Sequence, residues 1–244
     1  MQGGQLVAGQ GAAVIFDFYG TLSDPHAEVD RAAAYAETGR ALGVAGSEFW
    51  HAMWATFAQR AVGELGGTRA SLAHIARRCG ADPTEDQLDR ALAHHLATAA
   101  VLRSPRVGCL EVLDVLLAGG LRLGLLSDCS SELPEAWQTT AFASRIESAV
   151  FSWSLGIRKP DPRTFLAVTA GLGVEPSECW YVGDGGSREI WGASRVGMTT
   201  ILVRNTAYGV DHLRIDADSQ RPAYAVDDLE EVPALVLGPR GALA

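Results

Sequence analysis

Apolar residues recur along this chain in two rhythms, and the change between them divides it. The run Ala12-Ala13-Val14-Ile15-Phe16-Asp17-Phe18 is short, apolar and bounded by glycine on both sides. That is the pattern of a strand buried on both faces, with one charge near its carboxyl end. From Pro25 to Leu102 the spacing turns helical and predicts helices near 26–42, 48–62, 69–79 and 85–102. Asp-Pro and Gly-Gly pairs separate them, and Thr84 with Gln87 forms a capping box at the start of the last. After Ser104-Pro105, helix and strand alternate, with a helix at 107–118 and strands at 121–126, 148–151, 179–182, 200–203 and 223–226. Helical segments near 163–172, 189–196 and 228–237 lie between and after them. Such alternation builds βαβ units and a parallel sheet covered on both faces. The expected fold class is therefore α/β, a doubly wound, Rossmann-like parallel sheet formed by residues 12–24 and 105–240. An all-helical domain at 25–104 is inserted into it, hinged near 23–25 and 103–106, and residues 1–11 form a flexible lead-in.

Composition narrows the function. The chain has 244 residues, 48% of them apolar, enough for a sizeable core and incompatible with wholesale disorder. Twenty Lys+Arg against 29 Asp+Glu leave a net charge of -9, which argues against binding a nucleic-acid backbone. Cys79, Cys109, Cys129 and Cys179 lie far apart with no CxxC pair, so neither a zinc site nor a disulfide framework is expected. No apolar run reaches the roughly 18 residues of a membrane span, and Met1-Gln2-Gly3-Gly4-Gln5 lacks a signal peptide's positive start. A reduced, cytoplasmic protein without membrane or nucleic-acid partners is the expectation. Nothing in the residues specifies an oligomeric state.

Reactive groups of an open parallel sheet sit just beyond the carboxyl ends of its strands. Those positions hold Asp17 with Thr21, Ser127 with Asp128, Lys159 before Pro160, and Asp184 with Glu189. Each alone reads as a turn, cap or surface residue. Together they bring acids, hydroxyls and a lysine to one edge from four parts of the chain.

These segments carry a family resemblance. Phe16-Asp17-Phe18-Tyr19-Gly20-Thr21-Leu22 resembles the first motif of the haloacid dehalogenase (HAD-like) superfamily of hydrolases. Leu123-Gly124-Leu125-Leu126-Ser127 is similar to its second, Arg158-Lys159-Pro160-Asp161-Pro162 to its third, and Tyr181-Val182-Gly183-Asp184 through Glu189 to its fourth. The helical insert follows the first motif, where that family carries a mobile cap. The resemblance implies a Mg²⁺-dependent phosphatase of a small phosphorylated metabolite. In it Asp17 is the nucleophile and forms an aspartyl-phosphate, while Ser127 and Lys159 grip the phosphoryl oxygens. Asp17, the main-chain carbonyl of Tyr19 and Asp184 hold magnesium, with Glu189 a ligand or hydrogen-bonded to a metal-bound water. Thr21, Tyr19 and Asp128 complete the substrate site. The chemistry fits these residue types: a dianionic ester repels a carboxylate unless cations and donors absorb the charge.

Tyr19 departs from the pattern. Family phosphatases carry an acid-base Asp two residues after the nucleophile, and a phenol near its ordinary pKa of ~10 is a poor base at neutral pH. The dehalogenase branch has Tyr there and displaces halide from carbon without metal. That branch replaces the metal-binding Asp, however, whereas Asp184 and Glu189 are both present. Its halide-binding Arg also has no counterpart around Trp50-His51. A 2-haloacid dehalogenase and a weakly active phospho-ligand-binding module are thus the alternatives to the phosphatase. Elsewhere, Trp50, Trp54 and Phe57 read as a packing stripe on a helix, and His94-His95 as a solvated helix end. Arg60, Arg69, Arg77 and Arg78 read mostly as a solvated face, Cys129 as an inert small hydrophobe, and the Gly183–Gly186 stretch as no dinucleotide fingerprint.

Overall fold

The computed structural model describes residues 12–205 and 220–238, leaving the lead-in expected at 1–11 outside the described residues. Strand β1 (Ala13–Phe16) is buried throughout, as an apolar run with no polar alternation requires. Its residues alternate between the two faces of a sheet. Val14 and Phe16 enter one core cluster, with Leu113 and Leu116, while Ala13 and Ile15 enter another, with Phe165 and Leu172.

The sheet has six strands in the order β3-β2-β1-β4-β5-β6, every pair parallel. The others are β2 (Arg122–Ser127), β3 (Ser148–Phe151), β4 (Cys179–Gly183), β5 (Thr199–Val203) and β6 (Tyr224–Val226). Chain order reverses at β1, which lies between β2 and β4. A crevice opens at such a switch point, outside the carboxyl ends of the strands.

Between β1 and β2 the described residues form helices alone: α1 (His26–Val29), α2 (Arg31–Ala34), α3 (Ala36–Ala41), α4 (Gly46–Ala55), α5 (Phe57–Arg60), α6 (Thr68–Arg78), α7 (Glu85–Leu102) and α8 (Cys109–Ala118). The continuous helix expected over 26–42 is three short ones, and that over 48–62 breaks at Thr56. There the Thr56 hydroxyl donates to the carbonyls of Ala52 (2.7 Å) and Met53 (3.3 Å), competing with the helical ladder. The capping box of α7 forms, Gln87 N donating to Thr84 Oγ1 and Thr84 N to Gln87 Oε1. These helices have a core of their own, including Leu42, Phe49, Met53, Leu72, Ile75 and Leu88. Tyr19 packs against both this core and that of the sheet.

The two chain crossings between helical block and sheet run side by side. Ser23 and Pro105 form an antiparallel bridge, Asp24 N donates to Ser104 O, and Arg106 N donates to Leu22 O. The rest of the chain alternates as expected, adding α9 (Glu132–Ala136), α10 (Ser152–Leu155), α11 (Pro162–Leu172), α12 (Glu189–Arg195) and α13 (Val232–Leu237). The short α9 and α10 have no counterpart in the periodicity of the sequence.

Candidate active site

Three neighbouring strands deliver the reactive groups. Asp17 follows β1, Ser127 ends β2 with Asp128 next, and Asp184 follows β4. Lys159 comes from the loop before α11, and Glu189 opens α12. The β4–α12 turn is close-built: a side chain on Gly183 would meet Glu189 Oε1 at 2.1 Å. Gly20, at φ +76, likewise lets the loop after β1 pass Asp184, whose Oδ2 would lie 2.9 Å from an added Cβ.

Lys159 is the hub of the cluster. Its ammonium donates to Asp17 Oδ1 and Glu189 Oε2, both at 2.6 Å, and to the Tyr181 hydroxyl at 3.3 Å. Burial pushes a lysine toward neutrality, yet Asp17 and Glu189 outweigh it and hold Lys159 well above its ordinary value. Glu189 is fully buried, and burial, opposed by Lys159 and reinforced by Asp17 and Asp184, raises its carboxyl to about 8. Its Oε2 also accepts from Tyr181 Oη at 2.9 Å and its Oε1 from Gly185 N at 2.9 Å, so both oxygens are engaged.

Carboxylate oxygens of Asp17, Asp184 and Glu189 lie within 4.8 Å of one another. Two of these carboxylates, Asp17 and Glu189, contact Lys159, and the donors of all three are hard oxygens, the set a small divalent cation such as magnesium requires. The residues present therefore fit such an ion.

Thr21 Oγ1 donates to Asp17 Oδ2 at 3.2 Å, holding the carboxylate. Ser127 is fully buried and its hydroxyl has no hydrogen-bonding partner among the described residues. Asp128 accepts from Lys159 N at 3.0 Å and lies 3.7 Å from Arg158 Nε. Burial, partly countered by Lys159, raises its carboxyl.

A cavity of about 130 Å³ stands over this edge, with Asp17, Lys159 and Asp184 on one side and Trp50, Trp54 and Phe57 on the other. The aromatic stripe therefore lines the site as well as packing, with Trp54 half exposed. Arg60 also departs from the solvated-face expectation: it is buried and donates to Ser130 Oγ (2.6 Å) and Met53 O (2.8 Å), tying α5 to the loop after β2. Arg77 and Arg78 are exposed, as expected, and Arg69 forms surface pairs with Glu85 and Asp89. His94 is exposed, but His95 is buried with Nε2 2.6 Å from Glu132 Oε1, because it shares the inner face of α7 with Ala91 and Ala99. Cys129 is buried, and burial raises its thiol well above the ordinary value, consistent with an inert side chain, although it lines the cavity.

Sequence reasoning did not single out Arg31, Tyr35, Met53, Ser130 and Glu132, which line the cavity, or the Tyr181 hydroxyl. Tyr35, Met53 and Tyr181 carry the signal of core residues, and Glu132 that of a surface acid.

Known proteins resemble the chain over most of its length. The model of the haloacid dehalogenase-like hydrolase family matches residues 12–197, which include all four motifs. The glyceraldehyde 3-phosphate phosphatase of Methanopyrus kandleri is 29% identical over 65% of this chain and 67% of its own. The (S)-2-haloacid dehalogenase 4A of Burkholderia cepacia is also 29% identical, over 78% of this chain and 82% of its own. For other curated relatives the matched share of their length falls as low as 35%. The solved 2-haloacid dehalogenase of Pseudomonas syringae pv. Tomato has the same fold, with a TM-score of 0.66 at 24% identity, covering 92% of this chain and 97% of that one. With the motifs at the strand ends of one parallel sheet and the family match spanning them, the chain belongs to the haloacid dehalogenase-like hydrolases.

Proposed function

We propose that this hydrolase is a Mg²⁺-dependent phosphatase of a small phosphorylated metabolite, working through an aspartyl-phosphate on Asp17. The observation that carries the reading is the set of three carboxylates, Asp17, Asp184 and Glu189, with oxygens within 4.8 Å of one another, two of them bonded to Lys159. Carbon–halogen displacement by Asp17 needs no such acidic cluster. Unmatched acids repel one another and weaken the nucleophile unless a cation offsets them.

Asp17 attacks phosphorus with one carboxylate oxygen, while Thr21 fixes the carboxylate's rotation through Oδ2. Lys159 moves part of its charge from Asp17 to the transferring oxygens. The orphaned Ser127 hydroxyl supplies a donor to a phosphoryl oxygen, and Asp128 holds the Lys159 backbone in place. Magnesium held by Asp17, the Tyr19 carbonyl and Asp184 would supply charge neutralisation at the phosphoryl group. Glu189, with both oxygens already engaged, positions Lys159 and would add its charge to the set of acids that holds the ion. The helices of 25–104 serve as a cap whose closure excludes water before attack.

Tyr19 and the aromatic cavity wall favour a second reading, hydrolysis of a 2-haloacid by the same Asp17. The test is a panel of phosphate esters with magnesium and with chelator. Turnover that needs magnesium and is reversibly lost with chelator is expected. Halide release from a 2-haloacid in chelator, with no phosphate released from any ester, would overturn the phosphatase reading.

A further inference from the structure

The cavity joins two unlike walls. Opposite the charged floor stand Trp50 and Trp54, with ring centroids 6.3 Å apart. Trp50 is stacked on Tyr35, which also lines the cavity, at 6.3 Å and 14°. Trp54 is 50% exposed beside the cavity, so much of its indole surface is left open to a ligand. The charged groups of this wall are committed elsewhere. Arg60 is bonded to Ser130 and Met53, and the Arg31 guanidinium lies over the Tyr19 ring at 5.5 Å.

The second observation concerns proton supply. The residue two after Asp17 is Tyr19, not a carboxyl. Of the other acids lining the cavity, Asp184 and Glu189 belong to the acidic cluster with Asp17, Glu132 is paired with His95 at 2.6 Å, and Asp128 accepts from the Lys159 amide through Oδ1 at 3.0 Å. A site built this way suits a leaving group that departs as a stable anion.

We infer that the leaving group is small, flat, apolar and weakly basic, a single-ring aryl or an enol oxygen, received by Trp50 and Trp54 and expelled without a proton from the protein. This rests on the phosphatase reading and names its substrate class. The Asp17 carboxylate forms a P–O bond as the P–O(aryl) bond breaks, and the phenolate leaves with the electron pair. Water then attacks phosphorus, the P–O(Asp17) bond breaks to restore the carboxylate, and both protons of the water leave on dihydrogen phosphate.

Four esters assayed on the full chain with magnesium separate ring recognition from leaving-group basicity. Phenyl phosphate has the flat ring and a weakly basic leaving oxygen, benzyl phosphate the ring with a strongly basic one. Acetyl phosphate has a weakly basic leaving group without a ring, and glycerol phosphate has neither. Phenyl phosphate is expected to give the highest kcat/KM, and benzyl phosphate to show a similar KM with kcat lower by at least ~10². Trp54→Ala should raise KM for phenyl phosphate about 3- to 10-fold, clearly more than for acetyl phosphate, and Trp54→Phe should restore it. The inference is overturned if glycerol phosphate matches phenyl phosphate, or if Trp54→Ala shifts phenyl and acetyl phosphates equally. It is also overturned if Asp128→Asn selectively slows benzyl phosphate, which would make Asp128 the missing proton donor. In all three cases the phosphatase reading stands; no magnesium-dependent turnover of any ester, acetyl phosphate included, would overturn both.

Discussion

Lys159 determines what each acid around it can do. A buried ammonium touches Asp17 and Glu189 at 2.6 Å and opposes the burial and neighbouring acids that push the Glu189 carboxyl up. Lys159→Met should therefore destabilise the metal-free protein by about 3–5 kcal/mol, with part of the loss recovered on adding magnesium; urea unfolding with and without the ion measures both. Tyr19→Phe should leave magnesium affinity nearly unchanged in a calorimetric titration, because the proposed ligand is the main-chain carbonyl. Loss of binding with the fold intact would refute that assignment. Asp17, Lys159, Asp184 and Glu189 are legible in the sequence because strand ends are where a parallel sheet exposes chemistry. Tyr181 is not: in mid-strand it reads as core, and only the placement of α12 beside β4 brings its hydroxyl onto Glu189.

At the scale of elements, the helices of 25–104 meet the loop and helix after β2 through buried polar contacts. His95 on α7 meets Glu132 on α9, and Arg60 on α5 meets Ser130. Burial pushes the Glu132 carboxyl up, but the His95 hydrogen bond and the charges of His95 and Arg60 outweigh it and hold it far below its ordinary 4.5. The folded form thus takes up this proton less readily than the unfolded chain. Its contribution is full above about pH 4.5 and is lost as pH falls below that toward the folded value. Glu132→Gln should flatten the acid side of the stability–pH curve, read by thermal melts at stepped pH. This contact was within partial reach of the sequence, since the 3.6-residue period puts His95 in line with Leu88, Ala91, Ala99 and Leu102. Its partner was not, because α9 spans five residues, Glu132–Ala136, too few to show a period. A second brace lies beside the two chain crossings: buried Arg106 donates to Thr21 O and Asn205 Oδ1, and Asn205 Nδ2 donates to Gly20 O at 2.6 Å. Asn205→Ala leaves the Gly20 carbonyl and the guanidinium short of a partner. It should cost about 1–3 kcal/mol in urea unfolding and lower kcat through the loop that carries Asp17.

Across the whole molecule, the architecture was legible because buried parallel strands and amphipathic helices write different periods, and the break between them falls where the two chain crossings pair at Ser23 and Pro105. The cavity wall was not legible: Trp50 and Trp54 have helical spacing that serves packing and ligand contact alike, and only the docking of α4 over the sheet edge separates the two. Among the described residues no helix is long and apolar enough to cross a membrane. The central claim, phosphoryl transfer through Asp17, is tested most directly by acid-quenching the protein during turnover of acetyl phosphate and mapping the adduct by mass spectrometry. One phosphoryl group is predicted on the peptide containing Asp17, present with magnesium and absent with chelator or in Asp17→Asn. An unmodified Asp17 peptide during sustained phosphate release, or an adduct on another residue, would contradict it.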